Sequence, residues 1–204
     1  QNARSFVALF QAINPDVFID THTSNGADYT YAMTLITTQA DKAGPVIGPY
    51  LREVMEPHIF ESMEQRGETI VPYVNARNQT PESGIIGFLE SPRYSTGYTT
   101  LFGTLGFTAE AHMLKPFPKR VAATLDLIQC IALFTAENAA EIISLRAVEA
   151  DRVKNAFELP VHWALDATDS IMIPFKGYTA RREVSQVTGD CLLYTSDAAD
   201  DSQC

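Results

Sequence analysis

Gly106-Phe-Thr-Ala-Glu110-Ala-His112-Met-Leu-Lys-Pro116 sets one carboxylate inside an otherwise apolar, β-forming run. Thr108, Glu110 and His112 fall two residues apart, so a strand over Gly106–His112 puts all three on one face. A carboxylate in such a strand is costly unless it is paired, hydrogen-bonded or used in catalysis. Beside a metal it would take a proton from water. The matching segment upstream is Val17-Phe-Ile-Asp20-Thr-His22, a short apolar run that ends in a histidine and opens into a polar turn, Thr23 to Asp28. A histidine at a strand end is a good position for a metal ligand, because the strand fixes the backbone and the loop leaves room for substrate. Asp20, two residues earlier on the same face, is placed to support that imidazole. A lone histidine read without the Glu110 segment would be structural.

The rest of the chain alternates in kind. Phe6, Val7, Phe10 and Ile13 have helical spacing over Ala3 to Ile13, and Asn14-Pro15 ends that helix. Tyr31 to Thr37 reads as a strand, Pro45 to Arg66 as a helix closed by Gly67, and Thr69 to Val74 as a strand. Asn75 to Glu90 is a long loop, of the kind that often carries function. Ser95 to Leu101 can start a helix, and Pro118 to Ala150 reads as one long helix with Cys130 on its buried side. This alternation predicts an α/β fold, a mixed and mostly parallel sheet flanked by helices, over residues 1–150. Residues 151–190 read as the start of a β-rich appendage, with strands at Val161 to Leu165, Ser170 to Pro174 and Arg181 to Gln186. The last stretch, Cys191-Leu-Leu-Tyr-Thr-Ser-Asp-Ala-Ala-Asp200, looks like the translation of a transposase sequencing adapter, so residues 191–204 are expected to be a disordered artefact.

The chain resembles the zinc carboxypeptidases related to carboxypeptidase A, particularly a bacterial branch. Three anchors in order carry the likeness across roughly residues 5–150: His22-Thr-Ser-Asn-Gly26, Ser91-Pro-Arg-Tyr94-Ser-Thr-Gly-Tyr98, and Phe107-Thr-Ala-Glu110. The resemblance implies the C-terminal half of that catalytic domain, with Zn2+ as cofactor. It implies that His22 is the third zinc ligand, and that Glu110 is the general base acting on a zinc-activated water. Tyr94 is similar to the tyrosine that closes over substrate, with Tyr98 as its competitor; Thr108 would border the side-chain pocket, and Arg93 could meet a substrate carboxylate. Asp20 remains the supporting residue.

The same resemblance implies a peptide substrate, cut at a C-terminal peptide or isopeptide bond. It also implies a secreted or periplasmic location. The family's first ligand pair, His-x-x-Glu, does not precede His22, and neither do its substrate-gripping arginines; truncation upstream is the expected reason, which would leave the fragment inactive. His58-Ile-Phe-Glu61 has the right spelling but falls within a helix after His22 and reads as a surface pair. Two other readings remain open: a catalytically silent relative that binds peptide or glycan, and a zinc-dependent amino-acid deacylase.

Composition narrows the classes further. A net charge of −10, with 46% hydrophobic and 20% charged residues, fits a folded protein and argues against nucleic-acid binding. No apolar run approaches the roughly 20 residues that span a bilayer.

Overall fold

The computed structural model describes residues 2–24, 27–78, 83–179 and 181–194. Its centre is β4 (Leu105–Ala111), the strand that contains Glu110. Beside it lie β1 (Val17–Thr23), parallel, and β2 (Met33–Thr37), antiparallel; β3 (Val71–Pro72) pairs parallel with β2 at the far edge. The sheet order is therefore β1-β4-β2-β3. The chain is an α/β protein with a mixed sheet, in which two of the three strand pairings are parallel.

Period-two alternation gives the sheet two different faces. Leu105, Phe107, Ala109 and Ala111 of β4 point one way with Met33 and Leu35 of β2, and all are buried. Covering them are α3 (Glu56–Gln65), through Ile59 and Met63, and α5 (Phe117–Glu137), through Leu127, Ile131 and Phe134. Cys130 sits in this core, and burial pushes its thiol up from the usual range. The opposite face receives two short elements. In α1 (Asn2–Ile13), Phe6 meets Phe18 of β1 edge-on at 5.6 Å, and α4 (Ser95–Thr100) lies on β4 at Gly106.

Gly106 is required by that close approach. A Cβ there would meet Thr38 Oγ1 at 2.8 Å, Thr96 Cγ2 at 3.1 Å and Thr99 Oγ1 at 3.2 Å. The Gly106 N–H also donates to Thr38 Oγ1 at 3.1 Å. Gly106→Val should lose about 1–3 kcal/mol of stability, the usual result of overfilling a packed contact, read as an earlier urea midpoint at unchanged slope.

The helix expected from Pro45 begins one turn earlier, as α2 (Ala40–Tyr50), but is broken at Gly44 (φ 90°). The Glu149 carboxylate lies against this break, accepts the Val46 N–H at 3.2 Å and pairs with Arg152. It thereby satisfies a donor at the restarted helix, whose first residue is Pro45. A π-helical turn, Leu51–Met55, joins α2 to α3.

The single helix expected over Pro118 to Ala150 is two. Between α5 and α6 (Ala139–Asn155) the axis bends by 78° at Asn138. Thr135 Oγ1 and Asn138 Nδ2 both donate back to carbonyls four residues earlier, of Ile131 and Phe134. Such side-chain bonds compete with the helical ladder and favour a bend. Among the described residues no single helix is long and apolar enough to cross a membrane.

Beyond α6 the strands expected at Val161 to Leu165 and Ser170 to Pro174 do not form. Val161 and Met172 are almost fully exposed, so no apolar face is covered that would hold a strand in place. Among the described residues that follow, the paired element is a hairpin, β5 (Arg181–Val184) with β6 (Cys191–Tyr194). The segment Cys191–Tyr194, expected to be disordered, is thus a paired strand; residues 195–204 lie outside the described residues. The tail touches the main body at Phe175, which packs on Tyr31 at 5.3 Å, and at Lys176, whose N–H donates to Tyr31 Oη at 2.7 Å.

Candidate active site

The parallel pairing of β1 with β4 sets His22 opposite Glu110 and Asp20 opposite Thr108. Neighbours in register across a sheet point to the same face, with strands about 4.8 Å apart. Asp20, His22, Thr108 and Glu110 therefore share the face that α4 covers only at its Gly106 end. On this face His22 is about half exposed and Asp20 is 30% exposed at the side chain. Asp20 Oδ2 lies 2.9 Å from His22 Nε2, and it also accepts the Ser95 hydroxyl from the start of α4. With Asp20 beside Nε2, Nδ1 is the ring nitrogen left open to a ligand.

Glu110 is half-buried, and burial is the main cause that raises its pKa above the ordinary 4.5; His22 pulls it back down and Asp20 pushes it further up. All three groups therefore feel one another. A raised carboxylate beside an imidazole and open to solvent suits proton transfer nearer neutral pH than an ordinary glutamate would.

Three rings form a wall beside the carboxylate. Tyr94, exposed and in extended backbone just before α4, meets Phe88 edge-on at 5.1 Å, and Phe88 meets Tyr73 at 6.0 Å. The Tyr73 phenol is raised by burial first, then by the charges of Glu110, Tyr29 and Tyr94. Tyr73 continues the β3 ladder, with its N–H donating to Leu35 O at 3.0 Å. Sequence reasoning passed over both Tyr73 and Ser95. Tyr73 ends a strand with no motif around it. Ser95 sat inside a quoted motif, but its hydroxyl partner is 75 residues away.

The two tyrosines separate. Tyr98 packs edge-on against Phe6 at 5.9 Å and Phe10 at 5.6 Å, with Phe102 at 5.2 Å, and its hydroxyl accepts from Gln11 Nε2 at 3.2 Å. It belongs to the contact between α1 and α4 and not to the wall beside Glu110. Tyr94 packs on Phe88, in the same row of rings as Tyr73, whose phenol feels the Glu110 charge. Thr108 is buried on the site face, and Arg93 is exposed on the loop before α4.

His112 does not reach this cluster. Its ring is fully buried against Tyr29 at 4.2 Å, burial holds its pKa below the usual histidine value, and its nitrogens face the Tyr29 and Leu114 backbone amides. His58 lies on α3 with its ring against Phe134 at 4.8 Å, and Glu61 accepts from Gln65. That pair is a surface feature of a helix.

The donor set fits a metal in part. His22 is an oriented imidazole of the kind that binds zinc, but among the described residues no group of three or more His, Cys, Asp or Glu could hold a metal ion. A cleft of about 1310 Å³ lies elsewhere, between α2, the end of α4, α6 and Leu159 to Trp163. Six of its charged residues pair among themselves, Lys42 with Glu90, Arg146 with Asp16 and Arg152 with Glu149. Neither His22 nor Glu110 lines it. Comparison with protein-family models, with curated proteins and with solved structures found no match for this chain.

Proposed function

We propose that the chain is the C-terminal half of a carboxypeptidase A-like catalytic domain, and that the whole protein is a zinc carboxypeptidase acting on C-terminal peptide or isopeptide bonds. The observation that supports it most is the register that sets His22 against Glu110 on one solvent-open face, with Asp20 on the imidazole. In this reading His22 is one zinc ligand and Asp20 orients it. Zinc in such a site supplies Lewis-acid polarisation of the scissile carbonyl.

Glu110 takes a proton from the attacking water and returns it to the departing amine nitrogen. Its raised pKa suits both halves of that transfer. Tyr94, on the loop over the site, closes on the bound peptide. Thr108 borders the side-chain pocket, and Arg93 is the cation on the same loop for a substrate carboxylate. The remaining ligands would come from residues outside those described.

The test compares zinc content and peptide hydrolysis for the full reading frame and two variants. His22→Ala should lose bound zinc and activity together. Glu110→Gln should keep zinc and lose turnover. A Glu110→Gln protein with parental turnover, or a His22→Ala protein with parental zinc content, would refute the proposal.

A further inference from the structure

Ser95 has no place in the chemistry just described, yet its hydroxyl is aimed at the group that holds His22. Asp20 Oδ2 accepts the Ser95 hydroxyl and lies 2.9 Å from His22 Nε2. The imidazole itself is about half exposed. A ring so open to water would turn freely and exchange its proton between the two nitrogens unless something fixed the acceptor it points to.

Asp20 alone is a weak anchor, because its side chain is 30% exposed and has its own freedom to rotate. Ser95 removes that freedom. It is the first residue of α4, and α4 is seated closely on its surroundings: a Cβ on Gly97 would meet Ser91 O at 2.1 Å, and Thr96 and Thr99 press on Gly106. The Ser95 hydroxyl is therefore a fixed point on a packed helix, and the carboxylate bridges it to the imidazole.

We propose that Ser95 is a positioning residue that, through Asp20, holds His22 as the Nε2–H tautomer and so offers Nδ1 as its ligand-facing atom. The connection runs from α4 to β1, and His22 stands in register with Glu110 on β4. It also ties Tyr94, the residue next to Ser95, to the same strand as His22. That Nδ1 meets a metal rests on the hydrolase reading. The tautomer itself does not.

The experiment is 15N NMR of the full chain with labelled histidine, in metal-free buffer. The chain has four histidines, and the His22 signal is the one that His22→Gln removes. In the parent, His22 should be predominantly Nε2–H. Ser95→Ala should raise the minor tautomer on the order of threefold or more, the effect of losing one hydrogen bond to a charged group. Ser95→Thr, which keeps the hydroxyl, should restore the parental ratio, a rescue that simple space-filling by the side chain would not give.

A parental ratio in a folded Ser95→Ala protein overturns the proposal. So does a parent whose His22 is Nδ1–H, a result that needs no variant to fold. If the tautomer behaves as expected while the full reading frame binds no zinc, the hydrolase reading fails and the Ser95 assignment stands.

Discussion

Glu110→Gln is expected to lower peptide hydrolysis by about 10²–10⁴-fold, the usual contribution of a general base. The same change is expected to stabilise the metal-free protein at neutral pH. The sign follows from the direction of its shift. Burial raises the folded-state pKa of Glu110 above the ordinary 4.5 that it regains on unfolding. Between those two values the folded state holds the proton more firmly, so the parent loses stability as pH rises through that window. Glutamine cannot ionise and does not incur this loss. The melting temperatures of the two proteins should converge below pH 4.5 and separate as pH rises, with the variant higher. A variant that melts lower than the parent at neutral pH would mean that ionised Glu110 is held by a favourable partner instead.

The second large effect belongs to the other face of the same strand. Phe107 is fully buried in the cluster formed with Leu127, Ile131 and Met63. Phe107→Ala should cost about 3–5 kcal/mol, the transfer of the lost ring plus the cavity it leaves. Thr108, the next residue, faces the site. Thr108→Ala removes only a small side chain there and should be much milder. Denaturant unfolding of the pair tests the strand's orientation directly. Equal costs at 107 and 108 would mean that β4 is turned over, and Glu110 with it.

That orientation is legible in the sequence, because alternation along Phe107-Thr-Ala-Glu110 is local and a strand has only two faces. Asp20 and His22 were readable as a pair for the same reason. What no local pattern could supply was the neighbour. β4 inserts between β1 and β2, which are adjacent in sequence, and that choice depends on pairings 70 to 88 residues apart. The same limit hid Ser95 and Tyr73, whose roles exist only once α4 and β3 are docked.

Two other differences have local causes that the hydrophobic pattern obscured. Apolar periodicity runs on through Asn138, so α5 and α6 read as one helix, although Thr135 and Asn138 bend the chain there through their own side chains. Val161 to Leu165 has strand-like composition, but a strand needs a partner and a covered face, and Val161 has neither among the described residues. Tyr94 and Tyr98 differ in what they pack against, although they lie only four residues apart. Tyr98 lies inside α4 and turns toward Phe6 and Phe10, while Tyr94 precedes it in extended backbone beside Phe88.

The most direct measurement is anomalous diffraction at the zinc edge from crystals of the protein expressed from its full reading frame. A zinc peak at His22 Nδ1, with the Glu110 carboxyl open to the same cavity, is the expected result. A peak at other residues, or Glu110 closed off in an ion pair on the far side of the sheet, would contradict the account.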